Sequence, residues 1–151
     1  MGARTEIAEL TADYWLRVDQ RTVEPVEELY TEDGVFHAGA ALQQGRAAIG
    51  AFYAERVRRQ LAEGRRTRHL QVNLHTALTD PDRAVCHSTV VVFAGVGEPP
   101  IESGTVSTVA DVEDVLVRSP EHGWRFQRRT MTAVFTGPGA AAFVRPGPGP
   151  A

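Results

Sequence analysis

Apolar side chains at Ile7, Leu10, Tyr14 and Val18, with Thr11 among them and Trp15 at the margin, recur at intervals of three and four, the spacing of a helix with one buried face. They predict a helix from about residue 5 to residue 19. Thr22 ahead of Val23-Glu24-Pro25 has the form of a cap followed by an early proline, so a second, short helix burying Val26, Leu29 and Tyr30 is expected next. Asp33-Gly34 closes it and opens a short strand around Val35-Phe36-His37. After a Gly39 to Gly45 loop, Ile49, Phe52, Tyr53, Val57 and Leu61 define a third amphipathic helix, which Gly64 would end.

Beyond Gly64 the period shortens to two. Strands are expected at about 67–79, 84–94, 101–117 and 124–135, separated by turn-forming stretches at 80–83, 95–100 and 119–123. Such links join antiparallel neighbours, so the strands should form a meander. The third is long, and Asp111-Val112-Glu113-Asp114 marks a candidate bulge or bend within it. Helices followed by strands imply an α+β domain, with helices covering one face of a curved antiparallel sheet and a pocket between the layers. That domain should occupy residues 1–136, and the Gly/Pro-rich residues 137–151 should form a flexible tail.

The stretch Thr67 to His75 alternates strictly: Leu70, Val72, Leu74 and Leu78 share one side, and His69, Gln71, Asn73 and His75 share the other. A polar row of this kind on a strand flanked by apolar strands either meets water or lines a cavity. The second option would make the protein an enzyme.

Composition narrows the classes. At 151 residues the chain is long enough for one domain with a sizeable core. Its 16 basic residues, all arginine, face 19 acidic ones for a net charge of −3, and no basic stripe interleaved with aromatics argues for a nucleic-acid partner. The basic run Arg56-Val57-Arg58-Arg59, followed by Arg65-Arg66, is interspersed with Glu55 and Glu63 and reads as a solvated helix face. Cys86 is the single cysteine, which excludes an intrachain disulfide and a cysteine metal cluster; its apolar strand suits a small core residue. No apolar run is long enough to span a bilayer, and no basic-then-apolar leader opens the chain, so a cytoplasmic protein with no membrane partner is expected.

Five segments carry a resemblance: Tyr14-Trp15-Leu16-Arg17-Val18-Asp19, Leu29 to Phe36, Gly45 to Ile49, Thr67-Arg68-His69 with Asn73, and Gly123-Trp124-Arg125-Phe126. In this order and spacing the chain resembles the SnoaL-like branch of the nuclear transport factor 2-like superfamily over roughly residues 5 to 135. The resemblance implies a cone in which the curved sheet wraps three N-terminal helices, and a homodimer formed through the outer sheet face. It also implies enzymes such as dehydratases, isomerases and polyketide cyclases, or non-catalytic subunits, since one fold hosts many functions. Bile-acid dehydratase-like members pair a tyrosine with an aspartate five residues on and a histidine on the sheet; here these are Tyr14, Asp19 and His69. Their late basic residue corresponds to Arg128 or Arg129, and their second sheet carboxylate has no clear counterpart.

Taking a proton beside a carbonyl, or expelling water from a β-hydroxy carbonyl, requires a base, a donor and a stabiliser for the developing oxyanion, but no cofactor. His69 is the natural base, Asp19 would fix its tautomer, and Tyr14 would donate to the substrate oxygen. On a regular helix residue 19 is rotated about 140° from residue 14, so Asp19 joins Tyr14 only if the helix ends nearby. Tyr14 is otherwise a core tyrosine, Asp19 a cap or a partner of Arg17 or Arg21, and His69 a solvent or interface residue. Tyr30 and Tyr53 are candidates for further hydroxyls at the substrate, Trp15, Phe36, Phe52 and Val91 for apolar walls, and Asn73, His87 and Arg128 for polar contacts. His75 and His87 lie on neighbouring strands without paired carboxylates, so no metal site is expected. The substrate class that fits is a hydrophobic oxygenated compound such as a polyketide, terpenoid or steroid-like ring. Epoxide opening is an alternative that needs a second acid, such as Glu102 or Asp111, beside Asp19.

Overall fold

The first and third helical stripes form helices in the computed structural model, which describes residues 1–102 and 104–144. Helix α1 runs Ala3–Val18 and α2 runs Arg46–Glu63, and α2 is closed by Gly64 in the left-handed conformation at φ 63°. The expected second helix is a single 3-10 turn, Val26–Leu29. A segment this short gains too few hydrogen bonds to offset nucleation, and Tyr30 is already laddered opposite Phe126. Strand β1 therefore starts early, at Tyr30, and runs to Ala38, and the expected glycine loop after it contains a further strand, β2 (Ala41–Gln44).

The strand-period region forms β3 (Arg65–Asp80), β4 (Arg83–Val96), β5 (Thr108–Ser119) and β6 (Gly123–Thr136) as the expected antiparallel meander. All six strands make one curved sheet in the order β2-β1-β6-β5-β4-β3, and the fold is α+β. One pairing departs from a purely antiparallel sheet: β1 lies parallel to β6. Strand β5 begins seven residues later than the expected 101. Asp111 to Asp114 pair regularly with both neighbours; the irregularities flank this stretch in β6, which has an extra residue at Gln127 and at Val134.

The helices cover the concave face. Ile7, Tyr14, Tyr30, Phe36, Ile49, Leu116 and Phe126 are all at most 1% exposed there, and truncating a residue such as Leu116 to alanine would cost about 2–5 kcal/mol. Opposite this core, Leu70, Val72 and Phe93 remain exposed on the outer face. Residues 137–144, expected as the start of a free tail, are tied back instead. Gly137 N–H donates to the Ser107 carbonyl, Ala40 N–H to the Phe143 carbonyl, and the Phe143 ring meets Phe52 edge to face. The rest of that expected tail, 145–151, lies outside the described residues.

Candidate active site

Two local irregularities decide which side chains reach the interior. Along β3, Thr67, His69 and Gln71 face the helices while Arg68, Leu70 and Val72 are exposed, so the polar row lines the inside. At Asn73 the strand bulges with φ 56°, a left-handed conformation that asparagine tolerates. The bulge resets the alternation: Leu74 turns inward against the core, whereas Asn73 and His75 are exposed, contrary to the single face expected for them. In β6 the bulge at Gln127 does the same, sending Arg129 inward at 0% exposure and leaving Arg128 outside.

Helix α1 ends where the site requires it. Asp19 is its C-cap and Gln20 follows with φ 55°, so the carboxylate leaves the helical rotation and turns toward β3. There Asp19 Oδ1 accepts from His69 Nδ1 at 2.6 Å and from Thr67 Oγ1 at 2.8 Å, while Oδ2 accepts from the His69 backbone N–H at 2.8 Å. Burial pushes the Asp19 carboxyl up, but these hydrogen bonds and the imidazole outweigh it and hold the group below its ordinary value. A carboxylate only accepts, so Nδ1 carries the imidazole proton and Nε2 is the basic nitrogen. Burial lowers the His69 pKa, and Asp19 offsets that only in part, so the ring is neutral at pH 7.

The His69 ring lies flat on Trp15, centroids 4.5 Å apart and planes within 12°. Trp15 is itself held by its Nε1, which donates to Gln71 Oε1 at 2.9 Å, and Gln71 Nε2 donates to Ser88 Oγ at 2.8 Å. Behind them Arg129 forms two 2.7 Å bonds with Asp114, and its guanidinium sits 4.0 Å over the Tyr14 ring and 5.0 Å from Trp15. Burial opposes the Arg129 charge, but Asp114 keeps that pKa raised. Asp114 is thus a carboxylate buried within the sheet, at 0% exposure.

A cavity of about 440 Å³ opens beside His69. Trp15, Phe36, Phe52, Val90 and Met131 give it apolar walls, Tyr53 and Thr67 polar ones, and the segment from Gly139 to Val144 covers one side. Gly39, at φ 57°, lets that segment approach, since a Cβ would run into the Phe143 carbonyl. Of the expected site residues, His69, Trp15, Phe36, Phe52 and Tyr53 line the cavity and Asp19 touches His69. Tyr14 and Tyr30 do not line it, nor does Val91, whose neighbours Val90 and Val92 take the inward side of β4. The Tyr14 hydroxyl bonds that of Tyr53 and accepts from Tyr30 at 3.3 Å, so Tyr14 stands one layer behind the wall. Burial, with the neighbouring hydroxyls, holds Tyr30 and Tyr53 well above the usual phenol pKa.

Asn73, His87 and Arg128 are exposed and away from the cavity, and so are Glu102 and Asp111, the carboxylates considered as a second acid. Arg56, Arg59 and Arg65, read from the sequence as part of a solvated face, line the cavity, Arg59 at its exposed edge; Arg58, paired with Glu55 at 2.6 Å, faces solvent as expected. The i, i+3 spacing of Arg56 and Arg59 on the stripe side of α2 was the signal available in the sequence. Among the described residues no cluster of three or more metal-ligating side chains occurs, and no helix is long and apolar enough to cross a membrane.

Residues 1–130 match the SnoaL-like domain model. The chain belongs to the SnoaL-like family. Solved structures place this SnoaL-like domain in the wider NTF2-like fold. An NTF2-like protein with a cystatin-like fold from Novosphingobium aromaticivorans is 30% identical over 93% of this chain and 85% of its own, with a TM-score of 0.72. ActVI-ORFA from Streptomyces coelicolor is 20% identical, with 89% and 97% covered and a TM-score of 0.74. A scytalone dehydratase-like protein from Novosphingobium aromaticivorans is 18% identical, with 93% and 89% covered and a TM-score of 0.74. No curated protein matches the chain.

Proposed function

We propose that this SnoaL-like domain is a cofactor-independent acid-base enzyme, a dehydratase, isomerase or cyclase, acting on a hydrophobic oxygenated small molecule. The observation that carries the reading is the His69–Asp19 pair at the wall of the cavity: a neutral imidazole with Nδ1 tied to a carboxylate at 2.6 Å and Nε2 free to take a proton. The scytalone dehydratase-like neighbour is consistent with dehydration as the leading class.

In that reaction Nε2 removes the proton α to a carbonyl, and the electron pair moves onto the carbonyl oxygen. Tyr53 stays protonated and donates to that oxygen, while the Tyr30–Tyr14 hydroxyls behind it polarise the donor. Return of the electron pair expels the β-hydroxyl, which leaves as water with the proton held on Nε2. For isomerisation the same proton is delivered to the γ carbon instead. Epoxide opening lacks support, because neither Glu102 nor Asp111 reaches the cavity that Asp19 serves. A purely structural role for the polar strand face is disfavoured too, since the His69 side chain is only 12% exposed. The exposed Leu70, Val72 and Phe93 are the surface a second copy would cover in a homodimer.

The test is turnover of β-hydroxy ketones and β,γ-unsaturated ketones on one- to three-ring apolar frames, followed by NMR in D2O. Wild type should exchange the α proton or eliminate water, and H69A should do neither while retaining its circular dichroism. Activity persisting in H69A would reject the mechanism.

A further inference from the structure

The proton-transfer chemistry leaves one part of the cavity unexplained. Arg56, Arg59 and Glu63 lie three and seven residues apart on α2, and Arg65 opens β3 just beyond, so helix end and strand start bring three cations and one carboxylate to the same cavity. Arg56 is committed: its guanidinium donates to the Val18 carbonyl at 2.7 Å, to Gln60 Oε1 at 3.1 Å and to Thr67 Oγ1 at 3.2 Å. Burial depresses its pKa, and the charge of Arg65 is near enough to depress it further.

The other two are differently placed. Arg59 is exposed at the cavity edge and has no ion pair or hydrogen bond among the described residues. Arg65 donates to the Gly139 carbonyl and has no carboxylate partner among them. With Asp19 near Arg56 and Glu63 near the rim, the surplus at this end is about one positive charge, which suits a monoanion better than a diphosphate. Arginine forks bind carboxylates through two parallel bonds, and they do so more strongly beside an apolar cavity than in open water.

We infer that the substrate is an amphiphilic monocarboxylate, whose ring system lies against Trp15, Phe36 and Phe52 and whose carboxylate is held at the rim by Arg59 and Arg65. The inference rests on the reading of this cavity as the substrate site and names the class of molecule that enters it. It makes Arg59 and Arg65 specificity residues and assigns them no part in the proton transfer.

Calorimetric titration of the full chain with 2-naphthoate and with methyl 2-naphthoate, its uncharged ester, tests it without turnover. Wild type should bind the carboxylate about tenfold or more tighter than the ester, the scale of a charge-assisted bond. The double variant R59Q/R65Q should bring the ratio to about one, and H69A should leave the ratio at its wild-type value. Equal binding of the two probes by wild type, or a ratio that survives in the double variant, overturns the anion site while leaving the acid-base reading standing. If neither probe binds, the cavity is not the substrate site and both readings fall. Should the double variant not fold, R59Q alone decides: Arg59 makes no ion pair or hydrogen bond among the described residues, and a ratio still at its wild-type value refutes the inference.

Discussion

Replacing Asp19 by asparagine should invert the tautomer of His69. The carboxylate serves three donors, with Nδ1 and Thr67 Oγ1 on Oδ1 and the His69 backbone N–H on Oδ2. The backbone N–H cannot change role, so the asparagine carbonyl must take the Oδ2 position and its NH2 group the other. That group then donates to Thr67 Oγ1 and to Nδ1, both of which can accept. The imidazole proton moves to Nε2, and the nitrogen facing the cavity ceases to be a base. All three bonds survive as neutral ones, each weaker by about 1 kcal/mol, so D19N should lose roughly 2–3 kcal/mol of stability. For a domain of this size that is a fall in Tm of about 5–10 °C. Turnover should fall on the order of 10²–10⁴. Two-bond 15N–1H correlation spectra, with the His69 signal assigned from H69Q, read the tautomer directly. A variant in which Nε2 is still the unprotonated nitrogen would refute this account of the pair.

The acid limb of kcat/KM should turn below 6.5, because burial lowers the His69 pKa; a limb at or above that value would contradict it. In the same window stability should fall with acid: the unfolded chain binds a proton at about 6.5 while the folded ring resists it, and Asp19 adds a further loss as pH drops below 3.8 through its lowered folded value. Urea midpoints between pH 7 and 5 check the sign, and H69Q should flatten the slope. D114A should cost about 3–5 kcal/mol by urea titration, since Arg129 at 0% exposure would lose its counter-charge; a loss under 1 kcal/mol would mean the charge is satisfied elsewhere. G39A should free the segment over the cavity, because a side chain at φ 57° meets the Phe143 carbonyl; limited proteolysis within residues 137–144 should accelerate, and an unchanged rate would show that the contact does not hold the segment.

Periodicity was legible wherever it ran unbroken. The stripe from Ile7 to Val18 placed Tyr14 and Trp15 on the buried side of α1, and the alternation from Thr67 to Gln71 placed His69 inside. Parity was not legible past a bulge. One extra residue at Asn73 turned Asn73 and His75 outward, and another at Gln127 exchanged Arg128 for Arg129, because side-chain direction on a strand resets with each inserted residue. Tyr14 was expected at the substrate, yet a helical stripe specifies burial and not depth, and Tyr53 from α2 took the wall position in front of it. Asp114 was read only as part of a candidate bend, because a carboxylate beside Glu113 looks exposed until an arginine from the neighbouring strand is known to face it. The cavity-side arginines of α2 were misread because Glu55, which pairs with Arg58 on the solvent side, made the whole run look solvated.

The flat stacking of Trp15 on His69 gives the protein an optical probe of its own proton inventory. A charged imidazole in contact with an indole quenches its emission, and Trp124, the other tryptophan, has no such ring beside it among the described residues. Fluorescence intensity followed against acidity therefore records the ionisation of one chosen histidine among five, with no label and no added ligand.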